Sequence, residues 1–159
     1  MEVKEATLGD LREWLRLARQ VQHVFGSMVT EHGFQALLRQ AIQDGSAYCV
    51  REEDGEPGTP LCGGILISRE ENGVSWVAVA REHRRKGVAV LLMEAALELL
   101  DSSRPVSLTT YDAAVPGAEG VRKLYEQLGF RPKGTGERTA MGFPTEVFIK
   151  PRKEKPENF

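Results

Sequence analysis

The chain has 159 residues, 28% of them charged, and a formal net charge of −2 at pH 7. This length fits one domain, and no apolar run approaches the roughly 20 residues of a membrane span. The two cysteines and three histidines are too few and too scattered to indicate a metal site or a disulfide framework. The near-neutral charge argues against an obligate nucleic-acid binder but leaves room for a local basic cluster. Residues 1–5 lack the apolar core of a signal peptide. Together these features predict a cytoplasmic protein with no metal and no membrane partner.

Hydrophobic periodicity alternates between strand and helix along the chain. A short strand precedes two amphipathic helices, and Thr7 and Asp10 open the first helix in the pattern of a capping box. Three strands follow, over residues 48–50, 61–68 and 74–80. Asn72-Gly73 predicts a type I′ hairpin turn before the last of them, and Gly63-Gly64 indicates a bulge or a close backbone approach.

The second half contains the most convincing helix, which begins at Val88, and then a strand over residues 105–111. A helix over residues 121–128 ends at Gly129, a residue typical of the position after a helix. Two more strands complete the order β-α-α-β-β-β-α-β-α-β-β. This order predicts a mixed α/β domain whose front half is largely antiparallel.

A basic loop lies between the third strand of that group and the strongest helix. Residues 81–86 carry four basic side chains and one acid within a chain of net charge −2. A helix start offers unpaired N–H groups and a positive dipole end, which favour phosphate. Gly87 and Ala89 would let an anion approach these amides closely. The pattern indicates a phosphate site, although by itself it is also typical of a solvated turn.

Tyr125 is the second residue that could carry chemistry. It shares a helical stripe with Val121, Leu124 and Leu128, which predicts that about half of its ring is buried. A phenol with an ordinary pKa of about 10 can donate a proton at a cleft. The same stripe position is equally typical of a core residue.

In combination and in this order, the motifs resemble those of the GNAT superfamily of N-acetyltransferases, over residues 1 to about 150. The resemblance is carried by Val77-Ala78-Val79, by Arg84-Arg85-Lys86-Gly87-Val88-Ala89 and by Leu124-Tyr125-Glu126-Gln127-Leu128-Gly129-Phe130. It implies a GNAT-like α/β fold, with a mostly antiparallel sheet of about six to seven strands and about four flanking helices. It further implies one acetyltransferase-like domain over residues 1–150 and a charged, disordered tail over residues 151–159.

The resemblance also implies that acetyl-CoA donates an acetyl group directly to an amine. The cofactor-binding residues would be Val77, Ala78, Val79, Arg84, Arg85, Lys86, Gly87, Val88 and Ala89. In this assignment the strand backbone pairs with the pantetheine arm and polarises the thioester carbonyl. The loop amides and cations hold the pyrophosphate, and Tyr125 protonates the departing thiolate.

Two positions depart from the family pattern. Many relatives place a glutamate on the strand before the loop as the general base, but residues 75–79 contain no acid. The remaining candidates for the base are Glu31, His32, His23 and Asp112, each of which also has an ordinary explanation as a helix-start, surface or turn residue. Many relatives carry an asparagine seven residues before the tyrosine, where this chain has Ala118, which calls one cofactor contact into question.

The acceptor is expected to be an amine of a small molecule or a peptide. In this fold its wall comes from residues 23–32 and 134–144. Relatives often form homodimers, and no interface stripe decides this for the chain. Two alternatives stay open: a non-catalytic acyl-CoA-binding regulatory module, and a nucleic-acid-binding domain that uses Arg81 and the other cations of the loop.

Overall fold

A computed structural model describes residues 1–21, 32–115, 118–139 and 142–153. The strands are β1 (Val3–Glu5), β2 (Ala47–Arg51), β3 (Leu61–Ser68), β4 (Gly73–Val79), β5 (Val106–Tyr111), β6 (Arg131–Thr135) and β7 (Thr145–Lys150). The α-helices are α1 (Leu11–Gln20), α2 (His32–Gln43), α3 (Val88–Leu99) and α4 (Glu119–Gln127). The element order is the predicted one, and the mostly antiparallel sheet with four helices is confirmed.

One sheet of seven strands has the order β1-β2-β3-β4-β5-β7-β6. Neighbouring strands are antiparallel except for β4 and β5, which run parallel. The parallel pairing covers only Gly73 with Ser107 and Val74 with Leu108, whereas β5 pairs with β7 along its whole length. β4 and β5 therefore separate beyond Val74 and leave a cleft between their C-terminal halves.

A bulge in β4 lies where the two strands separate. Leu66 of β3 pairs with Trp76, and its neighbour Ile67 pairs with Val74, so Ser75 is the extra residue on β4. A bulge bends the strand and increases its local twist. The bend gives a local physical reason for the early end of the β4–β5 pairing.

The helices cover the two faces of the sheet. Helices α1 and α2 pack on one face around Trp14, Leu38 and Trp76. Helices α3 and α4 pack on the other face around Leu92 and Phe148.

The two glycines inside β3 are required by close packing, as predicted. A side chain at Gly63 would lie 2.8 Å from the Ala78 carbonyl oxygen, and one at Gly64 would lie 2.8 Å from the ring of Trp14. Real side chains do not tolerate these distances. Strand β3 can therefore lie this close to α1 and to its neighbour β4 only because both positions are glycine.

The capping box at the start of the first helix is confirmed. The Thr7 amide donates to Asp10 Oδ2 at 2.9 Å, although a short 3₁₀ turn over Leu8–Asp10 precedes α1. Asp10 is fully buried and also accepts from Arg51, with Nε to Oδ1 at 2.9 Å and Nη2 to Oδ2 at 2.6 Å. Burial by itself would raise the pKa of Asp10, but hydrogen bonds from Arg51, Thr7 and Gly58 outweigh it and lower that pKa.

The turn between β3 and β4 differs from the predicted type I′ turn. Ser68 pairs directly with Gly73, so the loop has four residues, 69–72. Asn72 has the left-handed φ of 54°, whereas Gly73 already belongs to β4. The Asn72 side chain is buried, donates to the carbonyls of Asp101 and Pro105, and accepts from the Asp101 amide at 2.8 Å. These long-range contacts hold Asn72 at the base of the hairpin instead of its tip.

Among the described residues, no helix is long and apolar enough to cross a lipid bilayer. Residues 151–153 are exposed, and the Lys153 amide donates to the Ser102 carbonyl at 2.9 Å. The division of the chain into a domain and a tail at residue 150 stays a prediction.

Candidate active site

The free edge of β4 forms one side of the cleft. The Ala80 amide donates to the Cys62 carbonyl at 2.7 Å, so Ala80 directs its backbone groups towards β3. Ala78 pairs with Gly64 in the same register. Because hydrogen-bonded and non-hydrogen-bonded positions alternate in an antiparallel pair, Val77 and Val79 direct theirs to the opposite edge. Of the three strand residues predicted to pair with a ligand, Val77 and Val79 thus present free backbone groups, whereas the backbone of Ala78 is used by β3.

The basic loop lies where β4 ends. Gly87 is the residue before the first turn of α3, with a left-handed φ of +82° and open space around its missing side chain. Arg85 is also left-handed, with a φ of 64°, a conformation that costs a non-glycine residue about 1–2 kcal/mol. Left-handed residues of this kind build anion-binding concavities from successive N–H groups.

The backbone amides of this loop are available for a ligand. The first backbone hydrogen bond of α3 runs from the Leu91 amide to the Gly87 carbonyl at 3.1 Å, and no side chain caps the helix. In the part of the chain that the structure describes, the amides of residues 85–90 donate to no acceptor. This run includes the amides of Val88 and Ala89, and the binding of a cofactor by these residues stays a prediction.

The cations of the loop have no ion-pair partner among the described residues. Arg84, Arg85 and Lys86 are exposed, and none of the three forms an ion pair with a described residue. His83 next to them differs, since its Nε2 lies 2.8 Å from Glu52 Oε1. The loop therefore combines unpaired amides with unneutralised positive charge at a helix N-terminus.

Tyr125 is more deeply buried than its helical stripe predicts. Only 5% of the residue is exposed instead of about half of its ring. It packs edge-on against Phe130 and Phe148, with ring centroids 6.2 and 6.4 Å apart. The difference arises because Phe130, in the turn between α4 and β6, and Phe148 of β7 place aromatic rings against Tyr125. Periodicity within one helix cannot reveal these contacts.

The end of α4 fixes the position of this tyrosine. The Gly129 amide donates to the Glu126 carbonyl and the Phe130 amide to the Tyr125 carbonyl, both at 3.0 Å. With Gly129 at a φ of +97°, this is a Schellman motif, which confirms the predicted role of the glycine. The motif brings Phe130 against Tyr125.

The Tyr125 hydroxyl makes no hydrogen bond to a described residue. The fully buried, unpaired side-chain atoms among these residues are instead Trp14 Nε1 and Trp76 Nε1, so the hydroxyl retains a solvent-accessible edge. Burial raises the pKa of Tyr125 to about 12. The phenol therefore stays protonated through the physiological range and can act as a hydrogen-bond donor.

The candidates for the general base have different outcomes. Asp112 accepts from the Ala114 amide at 3.0 Å, which is the turn-forming role already considered for it. Glu31 and His23 lie outside the described residues, as does the side chain of His32. Their role as a base stays a prediction.

The segments flanking the acceptor side are partly described. Residues 134–139 and 142–144 belong to the predicted acceptor wall. The Phe143 ring packs edge-on against Tyr111 at 5.9 Å between centroids. This contact brings the segment before β7 to the C-terminal end of β5, at the mouth of the cleft.

Ala118 lies at the N-terminus of α4 and is buried, with 3% exposed. Its methyl group cannot make the polar contact expected of an asparagine at this position.

Cys49 and Cys62 are both buried and free. Burial raises the pKa of Cys49 to about 12 and also raises that of Cys62, so neither thiol is suited to nucleophilic attack.

No sequence motif indicates the charged cluster of Arg122 and Glu146 close to Tyr125. Arg122 Nη1 donates to the Tyr111 carbonyl at 2.8 Å, and Nη2 donates to Glu146 Oε1 at 2.7 Å. From the sequence, an arginine three residues before the tyrosine is expected to be a solvated helix residue. Its partners cannot be predicted, because they are 11 and 24 positions away in the chain.

Two partly open pockets lie elsewhere on the described part of the chain. One of about 340 Å³ lies at the far end of α3 and includes Leu100, Arg104 and Lys150. Another of about 210 Å³ lies beside α1 and includes Gln20 and Glu82. Neither contains residues 84–89. The candidate site is an open groove between two strands, which suits an extended ligand better than a compact one.

Comparison with known proteins decides the family. Residues 9–130 match the model of the acetyltransferase (GNAT) family. The chain belongs to this family. The matched range contains β4, the basic loop and Tyr125, so the GNAT resemblance of these motifs is confirmed. No protein of curated function matches the chain.

Solved structures share the fold at low sequence identity. Ard1 from Thermoplasma volcanium has a TM-score of 0.70 at 20% identity, covering 96% of this chain and 97% of Ard1. A GNAT acetyltransferase from Bacillus cereus has a TM-score of 0.70 at 17% identity, covering 96% and 98%. The PaiA N-acetyltransferase from Thermoplasma acidophilum, in complex with coenzyme A, has a TM-score of 0.69 at 14% identity, covering 94% and 98%. These similarities extend the GNAT fold over nearly the whole chain.

Proposed function

We propose that this GNAT acetyltransferase uses acetyl-CoA to acetylate an amine of a small molecule or a peptide by direct attack on the thioester. The observation that supports this most is the cleft between β4 and β5. An uncapped helix start with free amides and cations lies at the end of β4, and Tyr125 belongs to the α3–α4 side of the sheet. An extended acyl-CoA has matching parts, namely a diphosphate, an amide-bearing arm and a thioester.

In this proposal the donor is held mainly by backbone groups. The amides of residues 85–90 would bind the pyrophosphate, and Arg84, Arg85 and Lys86 would add a positive potential. The free edge of β4 at Val77 and Val79 would pair with the pantetheine arm. An N–H group on this edge would also stabilise negative charge on the thioester oxygen as the amine attacks.

Tyr125 would act on the leaving group. As the new C–N bond forms, the C–S bond breaks, and the thiolate needs a proton. A phenol of pKa about 12 is a weaker acid than a free thiol, whose pKa is about 8.5. The same burial that raises the phenol pKa would raise the pKa of a thiol beside it, so the transfer becomes feasible when both groups are desolvated together.

The acceptor amine must be neutral to attack. A lysine-type amine has a pKa of about 10.4, whereas an α-amino group has a pKa of about 8 and is partly neutral at physiological pH. An acceptor panel should therefore contain both kinds of amine.

The proposal also includes a cytoplasmic location and no nucleic-acid partner. The homodimer expected from the family resemblance stays a prediction.

The decisive experiment offers acetyl-labelled acetyl-CoA to polyamines, aminoglycosides, lysine-containing peptides and peptides with free N-termini. We expect label on at least one amine, with one free CoA thiol released for each acetyl group transferred. A protein that binds CoA but neither transfers nor slowly hydrolyses the acetyl group would favour the regulatory module instead. Binding to DNA or RNA that weakens steeply with added salt would favour the nucleic-acid alternative.

A further inference from the structure

Arg122 of α4 is a largely buried cation that contacts three different groups. Its side chain is 12% exposed. One terminal nitrogen donates to the Tyr111 carbonyl at 2.8 Å, and the other donates to Glu146 Oε1 at 2.7 Å. Its guanidinium carbon lies 4.8 Å from the centroid of the Phe148 ring. A single side chain thus joins α4 to both β5 and β7.

These partners lie around the catalytic candidate. Phe148, beneath the guanidinium group, also packs against Tyr125 at 6.4 Å between centroids. Tyr111 is the last residue of β5, the strand that borders the cleft opposite β4. Arg122 precedes Tyr125 by three residues, so the two side chains extend from the same side of α4.

The planar guanidinium group suits this arrangement better than other cations do. It offers several N–H donors in a fixed fork and stacks on aromatic rings, so it can bind a carbonyl, a carboxylate and a ring at once. A lysine carries its three donors on a single nitrogen and has no planar group to stack on the ring. Fixed contacts at the start of α4 complement the Schellman motif at its end, and Tyr125 lies between them.

We propose that Arg122 is a positioning residue, which holds α4 against the end of β5 so that the Tyr125 hydroxyl is set correctly towards the cleft. This inference rests on the proposed function, because it assumes that Tyr125 protonates the leaving thiolate. Arg122 does not touch the donor in this role. Its effect passes entirely through Tyr125.

A double-mutant cycle on kcat tests this role, with Arg122→Met, Tyr125→Phe and the double variant. We expect Arg122→Met to lower kcat about 10-fold, since small displacements of a catalytic group are costly. In the Tyr125→Phe background the same change should lower kcat less than about 2-fold, because the group it positions is already absent. The affinity for CoA should change less than about 2-fold in either background.

Arg69→Met is the matched control. Arg69 also donates to several acceptors, the Gly45 carbonyl, Ser46 Oγ and the Tyr48 hydroxyl, and none of these belongs to α4, β5 or β7. Its kcat should stay near that of the wild type. If Arg122→Met does not fold, the cycle is run with Arg122→Lys, which retains the charge but not the fork.

Equal losses of kcat with and without the Tyr125 hydroxyl would overturn the proposal and leave Arg122 as a stabilising residue only. An unchanged kcat in folded Arg122→Met would overturn it as well. Acetyl transfer by the wild-type protein tests the proposed function separately. Transfer with an additive cycle overturns only the role of Arg122, whereas no transfer by the wild type overturns both.

Discussion

The basic loop and the surroundings of Tyr125, the two parts of the proposed site, are built in opposite ways. The loop is exposed and offers backbone amides, which come from residues adjacent in sequence. Tyr125 is buried and offers one side-chain group, which is held by Phe130, Phe148 and the end of α4. The loop should therefore tolerate side-chain changes wherever the backbone can keep its conformation. The tyrosine should respond to changes in distant residues that pack around it.

The largest expected effect is at the residue whose backbone shapes the loop. Gly87→Glu should weaken CoA binding about 1,000-fold, as expected from the loss of two charge-assisted hydrogen bonds. The substitution strains a φ of +82° and adds a negative charge where phosphate would bind. Isothermal titration with CoA measures the change.

Gly120→Glu is the control for added charge, because Gly120 has open space around it and no left-handed φ. Its CoA affinity should stay within about 3-fold of wild type. Unchanged CoA affinity in folded Gly87→Glu would remove the phosphate site from this loop.

The next effect concerns the tyrosine side chain. Tyr125→Phe should lower kcat about 100-fold, the usual contribution of a general acid, and should leave CoA affinity unchanged. Stability at neutral pH should change little, because the hydroxyl has no hydrogen-bond partner among the described residues. Steady-state kinetics of thiol release measures kcat, and equal kcat in the two proteins would reduce Tyr125 to a packing residue.

The raised pKa of Tyr125 predicts a loss of stability in alkali. The unfolded chain releases the phenol proton near pH 10, whereas the folded chain retains it up to about pH 12. The folded state binds more protons in this window, so the free energy of unfolding falls as the pH rises, by about 2 kcal/mol at pH 11.5. Urea unfolding of wild type and Tyr125→Phe should diverge above pH 10, with wild type losing more. Parallel pH profiles would contradict this burial effect.

A smaller effect is expected at the end of α4. Gly129→Ala forces an alanine into a left-handed backbone conformation and places its methyl group 2.6 Å from Lys150 Nζ. We expect a loss of about 1–2 kcal/mol in the free energy of unfolding, and a lower kcat with unchanged CoA affinity. Gly134→Ala, in open space without a left-handed φ, is the control. A change in CoA affinity alone would mean that the two regions are not separate.

The smallest effect is expected for a loop side chain. Arg85→Gly removes one exposed charge but also relieves a left-handed φ of 64°. The change in CoA affinity should be less than about 5-fold, because an exposed charge contributes at most about 1 kcal/mol. The difference should shrink further at high salt, where the charge is screened. A loss as large as that of Gly87→Glu would show that side chains, not amides, bind the phosphates.

The motifs that the sequence predicts correctly are those formed by residues close together in the chain. The strand, basic loop and helix start follow from adjacent residues, and so do the capping box at Thr7 and the glycine at position 129. The prediction of a type I′ turn at Asn72 was wrong. Four backbone groups between α3 and β5 form hydrogen bonds with the Asn72 side chain and hold it at the base of the hairpin. Local turn propensity carries no information about such partners.

The sequence by itself determined the element order, the family, and the presence of an uncapped, basic helix start after a strand. These depend on hydrophobic period, glycine and charge at neighbouring positions. Tertiary structure alone decided the opening between β4 and β5, the near-complete burial of Tyr125 and the contacts of Arg122. Each of these needs strands and helices far apart in the chain to meet, and the packing of β5 and β7 against α4 sets the distances between them.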